Sequence, residues 1–164
     1  MWIDPKQKIK EIYELREIVS QLHALKRKVV FANGCFDLIH VGHIRYLQKA
    51  KELGDVLIVG VNQDSCVTML KGRGRPLQPE AERAEIIASM DCVDYVLLFD
   101  APTVDGILRE LRPDVHAKGT DYTEESVPER ETVRAYGGRV AIAGDPKDHS
   151  TRDLIKIILS KFHS

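Results

Sequence analysis

Five short apolar runs, each set off from the next by a segment of helical periodicity, constrain this chain more than any other feature. KVVFANG (28–34), DVLIVGVN (55–62), VDYVLLFD (93–100), the weaker PDVHAKG (113–119) and RVAIAG (139–144) are rich in β-branched residues. Such runs suit strands buried on both faces. Between them, 40–53, 63–70, 79–90, 103–111 and a stretch ending near Tyr136 read as helices. TRDLIKIILSKF reads as a last helix, with Leu154, Ile155, Ile158, Leu159 and Phe162 expected to form a buried stripe. Strands alternating with helices build a parallel sheet covered on both faces through right-handed crossovers. The expectation is a doubly wound α/β fold with a five-stranded sheet.

The 164 residues suffice for one core and are too few for two ordinary domains. One domain over 1–164 is expected, with a helical extension over 1–27 and the α/β core over 28–164. In the extension a helix is expected over 5–26, where Ile9, Ile12, Tyr13, Leu15, Ile18, Val19, Leu22 and Leu25 recur at helical spacing and Asp4-Pro5 suits the helix start. That stripe is expected to pack on this domain or on a partner subunit. The chain is 43% hydrophobic and 30% charged, which excludes extensive disorder. Its net charge of −1 argues against a broad nucleic-acid footprint. There is no apolar signal core and no run near the ~18 residues of a membrane span. Cys35, Cys66 and Cys92 form no CxxC and suggest free thiols in the cytoplasm.

Ligands on such sheets bind beyond the carboxyl ends of the strands. Those ends carry Asn33, Asn62, Asp100, Lys118 and Gly144. No GxGxxG follows the first strand and no GxxxxGK[ST] occurs, so the dinucleotide and P-loop readings lose their support. His40-Val41-Gly42-His43 instead opens the first core helix. Residues three apart share a helix face, so the two imidazoles converge beside exposed N–H groups, a place that favours phosphate. Gly42 is expected to let a ligand approach the backbone. A metal site built on this pair lacks Cys or Glu partners at zinc spacing and would need a distant Asp; the bland alternative is two polar residues at a helix start. LKGRGRP sets Lys71, Arg73 and Arg75 around two glycines, and such cations fold over anions; in isolation the same loop reads as a solvated surface. His149-Ser150-Thr151 opens the last helix and reads as a phosphate seat or as a simple N-cap. In Lys118-Gly119-Thr120-Asp121-Tyr122, the glycine admits a ligand and Asp121 accepts from hydroxyls.

GCFDLIHVGH, the basic loop, KGTDY and HST before a final helix together resemble the HxGH nucleotidyltransferase superfamily, in its cytidylyltransferase-like branch. The match is nearest to the adenylyltransferases of ADP-heptose biosynthesis. It covers almost the whole chain, through the leading helix, ANGCFD, GVNQD, LKGRGRP, VDYV, RPDV, KGTDY and YGG. The resemblance implies a Rossmann-like fold and transfer of AMP from ATP, with Mg²⁺, to a sugar 1-phosphate, here D-glycero-D-manno-heptose 1-phosphate. It implies catalytic roles for His40, His43 and Lys71. Nucleotide contacts fall to Asn33, Gly34, Cys35, Phe36, Gly42, Arg73, Arg75, Lys118, Gly119, Lys147, His149, Ser150 and Thr151. Asp37, Asp64 and Asp121 are candidates for sugar hydroxyls or metal, with no protein ligand assigned to the ion. Arg83 is similar to a family arginine near the phosphates, or else pairs with Glu80 at the surface or packs on the Ile87 side.

Two departures stand out. Relatives often carry a sugar kinase on the same chain, and its absence here implies a separate kinase supplying the substrate. Arg152 replaces the second Thr of the C-terminal motif, with Lys147 as the nearby cation. The family also implies a homodimer, with ATP and sugar phosphate as partners; the charge and the lack of a long apolar run imply neither nucleic acid nor membrane. Rival readings are a CTP-dependent enzyme acting on an alcohol phosphate, an FAD synthetase-like adenylyltransferase, and a nucleotide sensor without turnover. A redox role for Cys35 is weaker still.

Overall fold

The computed structural model describes residues 1–163. Its strands are β1 (Val29–Gly34), β2 (Val56–Asn62), β3 (Tyr95–Phe99), β4 (Val115–Lys118) and β5 (Arg139–Ile142). All pair in parallel in the order β3-β2-β1-β4-β5. The helices are α1 (Ile12–Ala24), α2 (Val41–Lys51), α3 (Asp64–Lys71), α4 (Glu80–Ala88), α5 (Asp105–Leu111), α6 (Arg130–Ala135) and α7 (Thr151–Phe162). The expected five-stranded, doubly wound sheet is the observed one.

Each strand buries alternate residues on opposite faces. In β1, Val30 and Ala32 join Leu47 and Ala50 of α2 and Ala84, Ile87 and Ala88 of α4. Val29 and Phe31 join Leu15 and Val19 of α1, Leu108 and Leu111 of α5, and Val133 of α6. The chain winds outward from β1 to β3, then returns to β4 on the other side of β1. That reversal opens a crevice beyond the carboxyl ends of β1 and β4.

The two ends of the chain differ from expectation. Residues 5–26 do not form one helix. Asp4 caps a short 3-10 turn over Pro5–Lys8 by accepting from Lys6 N–H at 3.0 Å. The chain then extends, Ile9 bridges Val96 on the edge of β3, and Lys10 N–H donates to Val96 O at 2.8 Å. Pairing an otherwise open strand edge outweighs continuing the helix. The α1 stripe buries Leu15 and Val19 against this domain's own core, so it no longer argues for a partner subunit.

At the other end, no residue of α7 is buried. Its first turns rest on the body through half-buried Leu154 and Ile155. Ile158, Leu159 and Phe162 project into solvent, Phe162 being 81% exposed. Gly54 follows α2 where only glycine fits: a Cβ there would lie 2.7 Å from Val30 Cγ2. Among the described residues no helix is long and apolar enough to cross a membrane.

Candidate active site

The β1–α2 loop takes an uncommon path. Phe36 and Leu38 both have φ of 51°, a left-handed conformation costing roughly 1–2 kcal/mol each in residues with a Cβ. Neighbouring contacts hold it in place. Phe36 is buried with its ring against Gly34. Leu38 N–H donates to Gln78 Oε1 at 3.2 Å. Between them the Asp37 carboxylate accepts from Arg75 Nε and Leu77 N–H, both at 2.8 Å, and from Gln78 N–H at 3.1 Å. Burial alone would raise the pKa of Asp37, but these donors hold it below its usual value.

Thr151 Oγ1 donates to Asp37 O at 2.7 Å. One buried loop therefore ties the basic segment and the start of α7 to the strand-to-helix turn. Asp37 is a structural anchor, and its carboxylate is not open to a sugar hydroxyl or metal.

His40 caps α2. Its Nδ1 accepts from Gly42 N–H at 3.1 Å, while His43 Nδ1 accepts from His40 N–H at 3.2 Å. An amide N–H can only donate, so each neutral ring carries its proton on Nε2. The rings stack with centroids 3.8 Å apart, and the Phe36 ring meets His43 edge-on at 5.5 Å. Burial, then His40 and Lys147, push His43 down to about 4. Burial, then His149 and Lys147, also lower His40. The pair thus presents two neutral Nε2–H donors to the cavity. Gly42 serves the pair directly: a Cβ there would lie 2.9 Å from His40 Cε1 and Nδ1.

His43 and the fully buried His116 also make folding pH-dependent. Burial and then Lys118 lower His116, at the centre of β4, to about 3. Above pH ~6.5 a histidine is neutral both folded and unfolded. As pH falls from there, the unfolded chain binds protons that the folded one refuses, so stability drops. The window reaches down to about 4 for His43 and about 3 for His116. Each contributes at most about 1.4 kcal/mol per pH unit. Urea unfolding is expected to show lower stability at pH 5 than at pH 7.5; equal midpoints would contradict this.

Around the pair lies a cavity of about 710 Å³, lined by Asn33, Gly34, Cys35, Phe36, Asp37, His40, Gly42 and His43. Lys71, Arg75, Lys118, Gly119, Asp121, Lys147, His149, Ser150 and Thr151, also expected, stand on its walls. Lys71 stands in the last turn of α3, exposed. Lys118 Nζ lies 4.6 Å above the Tyr122 ring, and Lys147 Nζ donates to Asp121 Oδ2 at 2.9 Å. Arg152 also lines the wall.

Several expected contacts fall elsewhere. Arg73 is exposed and outside the lining. Arg75 has Nε committed to Asp37. Ser150 Oγ accepts from Asp153 N–H at 3.1 Å and donates to Asp153 Oδ2 at 2.7 Å, the N-cap arrangement. With Thr151 bound to Asp37 O, neither hydroxyl has its proton free for a phosphate.

Asp64 Oδ1 takes Arg83 Nη2 at 2.7 Å and lies off the cavity. Arg83 is neither a surface partner of Glu80 nor a phosphate ligand. It is fully buried, with Nη1 donating to Cys35 O at 2.6 Å and to Asn62 O at 2.7 Å, and Nε to Gln78 O at 3.0 Å. It clasps the ends of β1 and β2. Burial raises the Cys35 thiol above its usual pKa despite Lys71 and Arg83, which argues against an activated thiolate.

Three features of the site carry no sequence signal. Tyr46 OH donates to Ala117 O at 2.7 Å, fastening α2 to β4. Arg45 pairs with Asp145 at 3.1 Å across the mouth. His116 Nε2 and Asn33 Oδ1 lie 2.9 Å apart beneath the floor. Each joins residues distant in sequence, and no local pattern marks them.

Comparison with known proteins agrees with this geometry. A family model described as cytidylyltransferase-like matches residues 31–157. The chain is 49% identical to "Bifunctional protein HldE" of Citrifermentans bemidjiense, over 97% of this chain and 33% of that protein. It is 48% identical to the protein of the same name from Geobacter metallireducens, over 97% and 32%. The chain thus spans about a third of the length of these curated relatives. A crystal structure of the lipopolysaccharide core biosynthesis protein from Thermoplasma volcanium GSS1 superposes with a TM-score of 0.59. It is 31% identical and covers 71% of this chain and 93% of its own. Pantoate-beta-alanine ligase from Francisella tularensis, 16% identical with a TM-score of 0.57 over 95% and 78%, shares the fold alone. With a family model spanning the sheet and the paired histidines at its switch point, the chain belongs to the cytidylyltransferase-like family.

Proposed function

We propose that the protein transfers AMP from ATP to a sugar 1-phosphate, releasing pyrophosphate and an ADP-sugar. D-glycero-D-manno-heptose 1-phosphate is the proposed acceptor, and the lipopolysaccharide inner core the destination. The observation that carries this reading is the stacked pair, His40 and His43, whose tautomers are set by backbone donors inside a cavity that also holds Lys71, Lys118 and Lys147. The names of the HldE relatives and of the Thermoplasma structure support the choice of acceptor.

In the proposed step an oxygen of the sugar phosphate attacks the α-phosphorus in line. The bond from that phosphorus to the bridging oxygen breaks, and pyrophosphate leaves with the electron pair. The attacking oxygen is already anionic, so the protein need not supply a base; its work is alignment and charge stabilisation. The two Nε2–H groups donate to oxygens of the transferring phosphate, where charge crowds in the transition state. Lys71 and Lys147 neutralise the polyphosphate, and backbone at Gly34, Cys35 and Phe36 borders the nucleotide.

A magnesium ion belongs to the proposal, where it would neutralise phosphate charge. Asp37 is held by its loop and Asp121 by Lys147, so the ion's ligands would be phosphate oxygens and water. A sugar kinase would supply the acceptor in the cytoplasm. Homodimer formation would use the exposed apolar side of α7 rather than α1.

Pyrophosphate release is to be measured with ATP and CTP against heptose 1-phosphate and glycerol 3-phosphate. Turnover with ATP and the sugar phosphate is expected. Turnover only with CTP and the alcohol phosphate would overturn the assignment, as would thermal stabilisation by ATP with no product from any pair. Gly42→Ala is expected to displace the His40 ring and lower turnover about 100-fold, as small misplacements of reacting groups do. Its melting temperature should hardly change, because alanine favours a helix. Normal turnover would show that the ring's place is unimportant.

A further inference from the structure

The cavity extends past the histidines. Phe99 at the end of β3, Thr103 and Val104 after it, and Pro128 and Glu129 before α6, line a part of it served by the crossovers of the other sheet face. Glu129 is only 5% exposed, and its Oε2 is enclosed with no hydrogen-bond partner among the described residues. It stands at the N-cap of α6, yet its side chain makes no capping bond. An enclosed carboxylate oxygen without a donor destabilises a fold. Neither helix capping nor core packing accounts for this one.

We propose that Glu129 reads the hydroxyls of the acceptor, and that this lobe seats the acceptor's carbon body. The inference rests on the nucleotidyl-transfer reading above. A carboxylate offers lone pairs only, so it repels a triphosphate and suits a ligand that donates. Phe99, Val104 and Pro128 give an apolar wall for C–H faces, and Glu129 supplies the acceptor for hydroxyls beside it. That combination suits a polyhydroxylated, uncharged body whose phosphate points back to the histidines. Lys71, Lys147 and Arg152 line the wall on the side of the pair, where the nucleotide's phosphates belong.

Calorimetry with D-glycero-D-manno-heptose 1-phosphate, in the presence of a non-hydrolysable ATP analogue, tests this on the full chain. Glu129→Gln is expected to weaken acceptor binding about 10- to 100-fold, the loss typical of a hydrogen bond to a charged group. Affinity for the ATP analogue should stay within about twofold, and the melting temperature should hold or rise as an unpartnered charge is removed. Glu129→Ala serves as the second variant, with the same expectations. Unchanged acceptor affinity, weakened nucleotide binding, or a lower melting temperature in both variants would overturn the proposal, as would a wild-type chain that does not bind the sugar phosphate. Acceptor binding that depends on Glu129 but yields no pyrophosphate with ATP would sustain this assignment and sink the proposed reaction.

Discussion

His43→Ala is expected to lower turnover by about two to three orders of magnitude, the range seen when one preorganised donor to a developing charge is lost. The argument begins with the backbone. His40 N–H donates to His43 Nδ1, so the ring must present Nε2–H to the cavity. Phe36 on its edge and His40 on its face restrict the ring before substrate arrives. A donor fixed in advance need not reorganise during reaction, and this makes it worth more in the transition state than a mobile one. Alanine removes the donor and leaves a gap open to the cavity, so folding should change little. The check is pyrophosphate release under saturating ATP and sugar phosphate, with a melting curve alongside. Turnover within a factor of about three of wild type would remove His43 from the proposed chemistry. A collapse of the melting curve would instead make it a structural residue.

The second large effect concerns stability. Arg83→Met is expected to cost about 3–5 kcal/mol, the range for breaking a buried charged network by removing one partner. Methionine matches the length of the arginine stem and carries no donor. Cys35 O, Asn62 O and Gln78 O would each lose a hydrogen bond, and Asp64 would lose its cation. For a chain of this size the melting temperature should fall by roughly 6–20 °C. Arg83→Lys should recover only part of the loss, because one ammonium cannot fork toward four acceptors. A melting temperature within about 2 °C of wild type would contradict this account of how the β1 and β2 ends are held.

Helices and strands were legible because their signals are local. Each strand run shows its β-branched residues within a few positions, and each helix its stripe within two turns. The exceptions lie at the chain ends. The periodicity of residues 5–26 is real, but Ile9 can also complete the edge of β3, and no local pattern weighs the two outcomes. The stripe of α7 is equally real, yet only its first turns reach the body. Periodicity says which face is apolar and is silent on what covers it.

The candidate site divides along the same line. The spacing of His40 and His43 placed both rings on one helical turn, and the structure stacks them there. Charged residues nearby were harder to read. Asp37, Asp64, Arg75 and Arg83 all look like ligands in a sequence, being charged and near an unusual loop. In the fold they satisfy one another and the strand ends. Glu129, with no motif around it, is a buried carboxylate whose Oε2 has no hydrogen-bond partner among the described residues.

By itself, the sequence determined the order of strands and helices, the parallel winding that follows from it, and the presence of two imidazoles at the first crossover. Each depends on geometry repeating within a few residues. Only the tertiary structure decided which charges are anchors and which face the cavity, because partners such as Thr151 and Asp37 lie 114 residues apart in sequence. A side chain becomes scaffold or ligand according to the donors and acceptors that folding brings to it, and those come from remote parts of the chain.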